Sequence, residues 1–181
     1  VLDSDFDYTK LQFSYIQPWQ VGGFGKLIMS IEAGKTFGEV PLALLSIVPG
    51  NQTYFSIYNT FPQLDFYEFV TDTYTSTHLE HNFNGRFFSR IPFLKQYNLR
   101  AIIGIRVVWG DLSVDNIALN TTGNPVETPL IEPNVQMYYE YSVGVGNIFK
   151  ILRIDFNFRG NYLDTPDARP FGVTGSFGFS F

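Results

Sequence analysis

Apolar and polar side chains take turns along much of this chain, most clearly near its C-terminus. From residue 152 to 162 one set of alternate positions reads Leu152, Ile154, Phe156, Phe158, Gly160 and Tyr162, and the other Arg153, Asp155, Asn157, Arg159 and Asn161. A period of two puts each set on its own face of a β-strand, because successive side chains point to opposite sides of the pleat. The alternation returns from 171 to 181, with Phe171, Val173, Gly175, Phe177, Phe179 and Phe181 set against Gly172, Thr174, Ser176, Gly178 and Ser180. Both segments outlast the five or six residues usual for strands of globular proteins.

The same period predicts five more strands. Residues 135–146 set Met137, Tyr139, Tyr141, Val143 and Val145 against Gln136, Tyr138, Glu140, Ser142 and Gly144. Residues 99–111 set Leu99, Ala101, Ile103, Ile105, Val107 and Trp109 against Arg100, Ile102, Gly104, Arg106 and Val108. Residues 24–34 set Leu27, Met29, Ile31 and Ala33 against Lys26, Ile28, Ser30 and Glu32. Residues 5–16 and 68–83 follow the pattern more weakly, the latter with threonine along much of its less polar face. The links between the seven strands fall at about 18–23, 36–65, 84–98, 112–134, around Asn147, and 164–170. The long loops, 36–65 and 112–134, therefore gather at one end of the sheet. No helical period, repeat or low-complexity tract intervenes, so residues 1–181 read as one all-β unit.

Which face is inside follows from what the polar face carries. In a soluble sandwich it would be the solvated outside, dense in Lys and Glu. Here it holds Gly, Ser, Thr, Asn and Tyr with scattered charges of both signs: Lys26, Glu32, Glu68, Asp72, Glu80, Arg100, Arg106, Glu140, Arg153, Asp155 and Arg159. That suits a hydrated lumen. The apolar face has Trp109, Tyr139, Phe171 and Phe181 towards strand ends, as in the aromatic girdles of a lipid-facing wall. The expected fold is a transmembrane antiparallel β-barrel in the cell outer membrane, in contact with outer-membrane lipid. The alternative is a soluble all-β domain with its faces reversed. Seven strands leave open edges, whose unpaired backbone groups are costly in lipid, and single-chain bacterial barrels have even strand numbers. The chain is thus expected to be the C-terminal part of a larger barrel, completed by upstream strands of the same protein.

Composition narrows the chemistry. The 181 residues are 45% hydrophobic, 18% aromatic and 16% charged, with a formal charge of -5. Such a hydrophobic fraction excludes disorder, and the lack of clustered Lys and Arg argues against nucleic acid. Without cysteine there is no disulfide, thiolate metal site or cysteine nucleophile. Ser76 and His78 share a strand face with Asp72, Tyr74 and Glu80, the residue types of nucleophilic catalysis. Alternate residues on a strand stand about 6 to 7 Å apart, however, too far for a direct proton relay. His78 and His81 fall on opposite faces, and the acidic residues of the loop after Asp111 match no calcium motif. No metal, cofactor or enzymatic activity is expected.

Particular residues carry a resemblance. They are Glu32-Ala33-Gly34-Lys35 closing a strand, Pro41-Leu42, Pro49 through Phe55, and the strand with His78-Leu79-Glu80-His81-Asn82-Phe83. Gly146-Asn147-Ile148, then Arg153-Ile154-Asp155-Phe156, lead to the aromatic end at Phe181. Together they resemble the C-terminal half of the surface-antigen superfamily, the barrels related to the outer-membrane assembly factor BamA. More narrowly, the chain is similar to a Bacteroidota family in which a carboxypeptidase-regulatory-like domain precedes such a barrel. The resemblance implies the last seven of sixteen strands and a role in outer-membrane protein insertion or polypeptide translocation. Its partners would be outer-membrane protein clients or assembly-complex subunits. A passive channel or structural barrel, whose extracellular loops recruit partners, is the alternative. In that superfamily the loop between the second and third strands here folds into the lumen, where an Arg-Gly-aromatic motif pairs with carboxylates. The matching place reads Asn51-Gln52-Thr53-Tyr54-Phe55, which has the aromatic without Arg-Gly. What the resemblance singles out is Tyr54 and Phe55 as loop anchors, Glu80, Arg106 and Asp155 as charged partners, and Phe177, Phe179 and Phe181 as the closing-strand signal.

Overall fold

The computed structural model describes residues 6–121, 136–165 and 167–178. Its seven long strands are β1 (Thr9–Gln20), β2 (Lys26–Phe37), β5 (Thr73–Asn82), β6 (Arg100–Asp111), β7 (Tyr138–Ile148), β8 (Leu152–Arg159) and β9 (Phe171–Phe177). They form one sheet in the order β1-β2-β5-β6-β7-β8-β9, with every neighbouring pair antiparallel. Two short strands, β3 (Ser46–Ile47) and β4 (Val70–Thr71), pair within the long loop between β2 and β5. The sheet is open among the described residues: no pairing joins β1 to β9, and no helix is long and apolar enough to cross a membrane.

All seven expected strands form, with displaced ends. β1 runs on through Pro18, where a turn is expected, because an edge strand tolerates the missing N–H of proline. The expected strand 68–83 is broken: Val70 and Thr71 pair with Ser46 and Ile47, and the long strand starts only at Thr73. The loop after β6 opens with an eight-residue helix, α1 (Val114–Thr121), which the sequence reading does not contain. That helix is held by tertiary contacts of its buried Asn116 with the Val40 N–H and the Asp72 carboxylate, which no periodicity announces.

On β7 and β8 burial divides the two faces sharply. On β7, Tyr138, Glu140, Ser142, Gly144 and Gly146 are buried while Tyr139, Tyr141 and Val143 are exposed. On β8, Asp155, Asn157 and Arg159 are buried and Phe156 is exposed. The polar face is therefore the covered one. What covers it is the 35-residue link between β2 and β5, which folds back across the sheet. Both buried apolar clusters are made by this loop rather than by the apolar face of the sheet. Val48, Phe61, Leu64 and Phe69 pack on Val108 and Tyr138, and Val40, Leu45 and Val70 pack on Leu112. The opposite, apolar face carries Leu11, Phe13, Ile103, Tyr141, Val143 and Phe171, all exposed. Burying one such side chain is worth about 1.5 to 3 kcal/mol, so a face of this extent left in water is a large forgone stabilisation.

Candidate functional site

The polar face and the loop strapped over it form the candidate site. The strap bonds to nearly every strand it crosses. Over β2, Asn59 donates to Glu32 Oε2 at 2.8 Å and accepts from Ser30 Oγ at 3.2 Å. Over β5, the Phe61 ring meets the His78 ring edge-on at 4.8 Å. Over β7, the Gln63 N–H donates to Glu140 Oε1 at 2.9 Å, and the Tyr138 hydroxyl donates to the same oxygen at 2.7 Å. Gly172 of β9 has no Cβ where the Gln63 amide sits, so the backbone there admits the strap closely.

The strongest tie is a buried ion pair. Arg159 of β8, with a side chain 0% exposed, donates from Nη2 to Glu68 Oε1 at 2.6 Å and from Nη1 to Glu68 Oε2 at 3.2 Å. This two-pronged geometry is the strong form of a charge-assisted hydrogen bond. The same guanidinium donates to the carbonyls of Gln63, Asn161 and Tyr162 and to Thr165 Oγ1. Its cation also lies 5.1 Å from the centroid of the Tyr138 ring. A second arginine, Arg169 from the β8–β9 link, binds Asp65 Oδ1 at 3.0 Å and the carbonyls of Leu64 and Asn51. The strap supplies the carboxylates, and the sheet and its link supply the guanidinia.

Glu80 and Asp155 are brought together by a residue outside the expected set. Arg153 Nη2 lies 2.7 Å from Glu80 Oε2, and Arg153 Nε lies 2.7 Å from Asp155 Oδ2. Glu80 is on β5 and Arg153 on β8, so the side chain spans two intervening strands. Glycine makes this possible: Gly104 of β6 stands opposite Glu80 and Gly144 of β7 opposite Asp155. A Cβ at Gly144 would collide with Asp155 Oδ1. A pair closing over three strand spacings also requires a concave polar face, since neighbouring strands are about 4.8 Å apart. Arg106 stands apart, opposite Glu140 in register, with the Ser142 hydroxyl at 3.5 Å and no carboxylate within 4.0 Å among the described residues.

Tyr54 and Phe55 are 86% and 60% exposed. Both meet β9 through the backbone, where Gly175 N donates to Tyr54 O, and the Phe55 ring centroid lies 6.4 Å from that of Phe177. The rings that fix the strap are Phe61 and Phe69. Phe177 ends β9 with its side chain exposed, whereas Phe179 and Phe181 lie outside the described residues. Ser76 and His78 share the covered face, and His78 Nε2 has no hydrogen-bond partner among the described residues. No group of three or more metal-ligating side chains gathers among them.

At the loop end of the sheet, Asp72 ties the strap to α1. It accepts from Ser113 N at 2.7 Å, Asn116 Nδ2 at 3.1 Å and Thr73 Oγ1 at 2.9 Å. Burial pushes this carboxyl up, but the hydrogen bonds from Ser113, Asn116 and Thr73 outweigh it and hold the group below its ordinary 3.8.

Arg159, Arg169, Glu68 and Gln63 were not separable in the sequence from other polar residues. Gly172 and Gly144, glycines on the polar face of long strands, were the one visible hint of something passing close. No curated protein matches the chain. Residues 1–113 match a family described as a family of unknown function (DUF5686), C-terminal domain. Since that match covers more than half of the 181 residues, the chain belongs to the DUF5686 family, of which it carries the C-terminal domain.

Proposed function

We propose that the chain is the C-terminal part of an outer-membrane β-barrel related to BamA-type assembly factors, acting in outer-membrane protein insertion or polypeptide translocation. The observation that carries this is the inverted sheet, whose polar face is buried under a strap while its apolar face is bare. Lipid is the medium that such a face fits, and upstream strands of the same protein complete the wall between β1 and β9. The concave polar face, drawn in by the Glu80–Arg153–Asp155 cluster, is then the lumen. The strap is the counterpart of the lumenal loop in the BamA-related barrels, with its charges exchanged. Where those loops bring an arginine to lumenal carboxylates, this loop brings Glu68 and Asp65 to Arg159 and Arg169. The absent Arg-Gly motif therefore leaves the ionic anchor in place with opposite polarity.

Deleting residues 40–60 from the full-length protein in its own cells tests the role. Loss of folded outer-membrane proteins, read by heat-modifiable mobility, is the expected result. A passive channel or structural barrel is the second reading, favoured by the missing Arg-Gly pair. A deletion that changes only conductance, with client folding intact, would establish it instead.

A further inference from the structure

The free edge of β9 already has a partner. Gly175 N donates to Tyr54 O at 2.8 Å and Ser56 N donates to Gly175 O at 2.8 Å, which makes a parallel β-bridge between Phe55 and Gly175. β8 occupies the other edge of β9, with Ile154 opposite Gly175. The strap has therefore taken main-chain groups that point away from the sheet. Residues paired across a ladder turn their side chains to the same face. Gly175 falls in the apolar series with Phe171, Val173 and Phe177, and Phe55 follows it there, its ring centroid 6.4 Å from that of Phe177. Gly175 adds no side chain to that face, which leaves Phe177 as the ring beside Phe55. Ser56 turns the other way and lines a cavity of about 280 Å³ on the polar face with His78, Arg106 and Ser176.

A built turn presents this segment. Asn51 is fully buried, its Oδ1 accepts from Thr53 N at 2.9 Å and Thr53 Oγ1 at 2.8 Å, and its Nδ2 donates to Phe55 O at 2.7 Å. Arg169 clamps the same turn from outside through Asn51 O at 3.2 Å.

We propose that Tyr54–Phe55–Ser56 is a latch strand seated on the closing edge of β9, and that this edge pairs with another strand at Gly175 only after the latch has left; this rests on the barrel reading above, which makes the edge a seam. The competitor it excludes is an extended polypeptide that offers a carbonyl and an N–H to Gly175 and a large apolar side chain opposite it. The barrel's own first strand and the strand of a client both have that chemistry, and the latch stands in the way of both at the same residue.

The test uses the full-length protein in its native membrane, with Phe55→Cys and Gly175→Cys combined. This chain has no cysteine of its own. A Cβ at Gly175 meets only Arg153 O at 3.6 Å, an ordinary contact, so the second substitution fits. Directly paired strand residues have the Cα separation that a disulfide needs. Mild oxidation should link the two cysteines in most molecules. Adding Ser56→Pro, which removes the N–H that Gly175 O accepts, should lower that yield about 2- to 10-fold. No disulfide, with Gly175→Cys open to thiol reagents, overturns the latch, and so does a yield untouched by the proline. The two proposals separate cleanly, since the disulfide and its loss with Ser56→Pro read the seated latch whatever the insertion role, whereas a locked latch that leaves insertion unchanged, in a protein whose 40–60 deletion abolishes it, overturns the exclusion at Gly175. Absence of the disulfide with insertion normal removes the latch alone.

Discussion

Glu68→Gln should release the strap while leaving the strands paired. The substitution keeps the shape of the side chain, and it leaves Arg159, fully buried, facing a neutral amide. Removing one partner of a buried ion pair costs about 3 to 5 kcal/mol, because the surviving charge remains where water cannot reach it. The lower end applies here, since Arg159 retains the carbonyls of Gln63, Asn161 and Tyr162 as acceptors. A cost of about 3 kcal/mol multiplies the open fraction of the strap roughly 150-fold, at about 1.4 kcal/mol per factor of ten. Hydrogen exchange of the purified full-length protein reads this quantity, because amides exchange through local opening when reclosing is fast. Peptides covering 45–70, which include the bonded amides of Val48, Asn51 and Leu64, should exchange faster by about that factor, and β6 and β7 should not. Replacing the pair by apolar residues, Glu68→Leu with Arg159→Met, should restore most of the protection, since no charge is then stranded. Equal exchange in wild type and Glu68→Gln would refute the assignment of this pair as the main tie. A double variant as loose as the single one would refute stranded charge as the cause.

Three further outcomes are expected. Asp72 lies outside the long strands and its folded-state carboxyl is held below 3.8, so its contribution is complete above that pH and is lost as the pH falls through the depressed value. Exchange at Ser113 and Thr36 should therefore rise below about pH 4 in wild type, and Asp72→Asn should be loose already at pH 7 and flat across that range. Gly144→Val, whose side chain displaces the Asp155 carboxylate, should cost about 1 to 3 kcal/mol in urea unfolding, whereas Gly175→Ala should stay within about 0.5 kcal/mol. Val143→Arg, in the middle of the apolar face of β7, should cost about 2 to 4 kcal/mol in folding into bilayers; unchanged folding there would argue against a lipid-facing surface.

Period-two alternation was enough to place all seven strands and to tell the two faces apart, because a one-residue slip would exchange the whole of Arg153, Asp155, Asn157 and Arg159 for Ile154, Phe156 and Phe158. The ends were less legible. Pro18 reads as a turn in any local window, and only its position on an edge strand explains its pairing with Ile28. The break at Asp72 has a similar origin, since Val70 and Thr71 pair inside the loop and local alternation cannot see which partner wins. Of the charged residues singled out, Glu80 and Asp155 share a cluster, but through Arg153, whose reach across β6 and β7 depends on Gly104 and Gly144 of those strands. The anchoring aromatics were hardest to read. Tyr54, Phe55, Phe61 and Phe69 look alike in composition, and which of them enter the core depends on long-range packing against Tyr138.

The strap leaves the sheet between neighbouring strands, yet its partners belong to strands made much later. Gln63 meets Glu140, 77 residues on; Glu68 meets Arg159, 91 residues on; and Asn51 meets Arg169, 118 residues on. During synthesis, Phe61, Leu64 and Phe69 therefore have only part of their dock, His78 of β5 and Val108 of β6, until Tyr138 of β7 is in register. Contacts of such long range form late, after the entropy of closing the intervening chain has been overcome. If the chain is the barrel proposed above, this order works as a timer: a wall with strands missing displays unhoused aromatics, and a completed wall withdraws them from view.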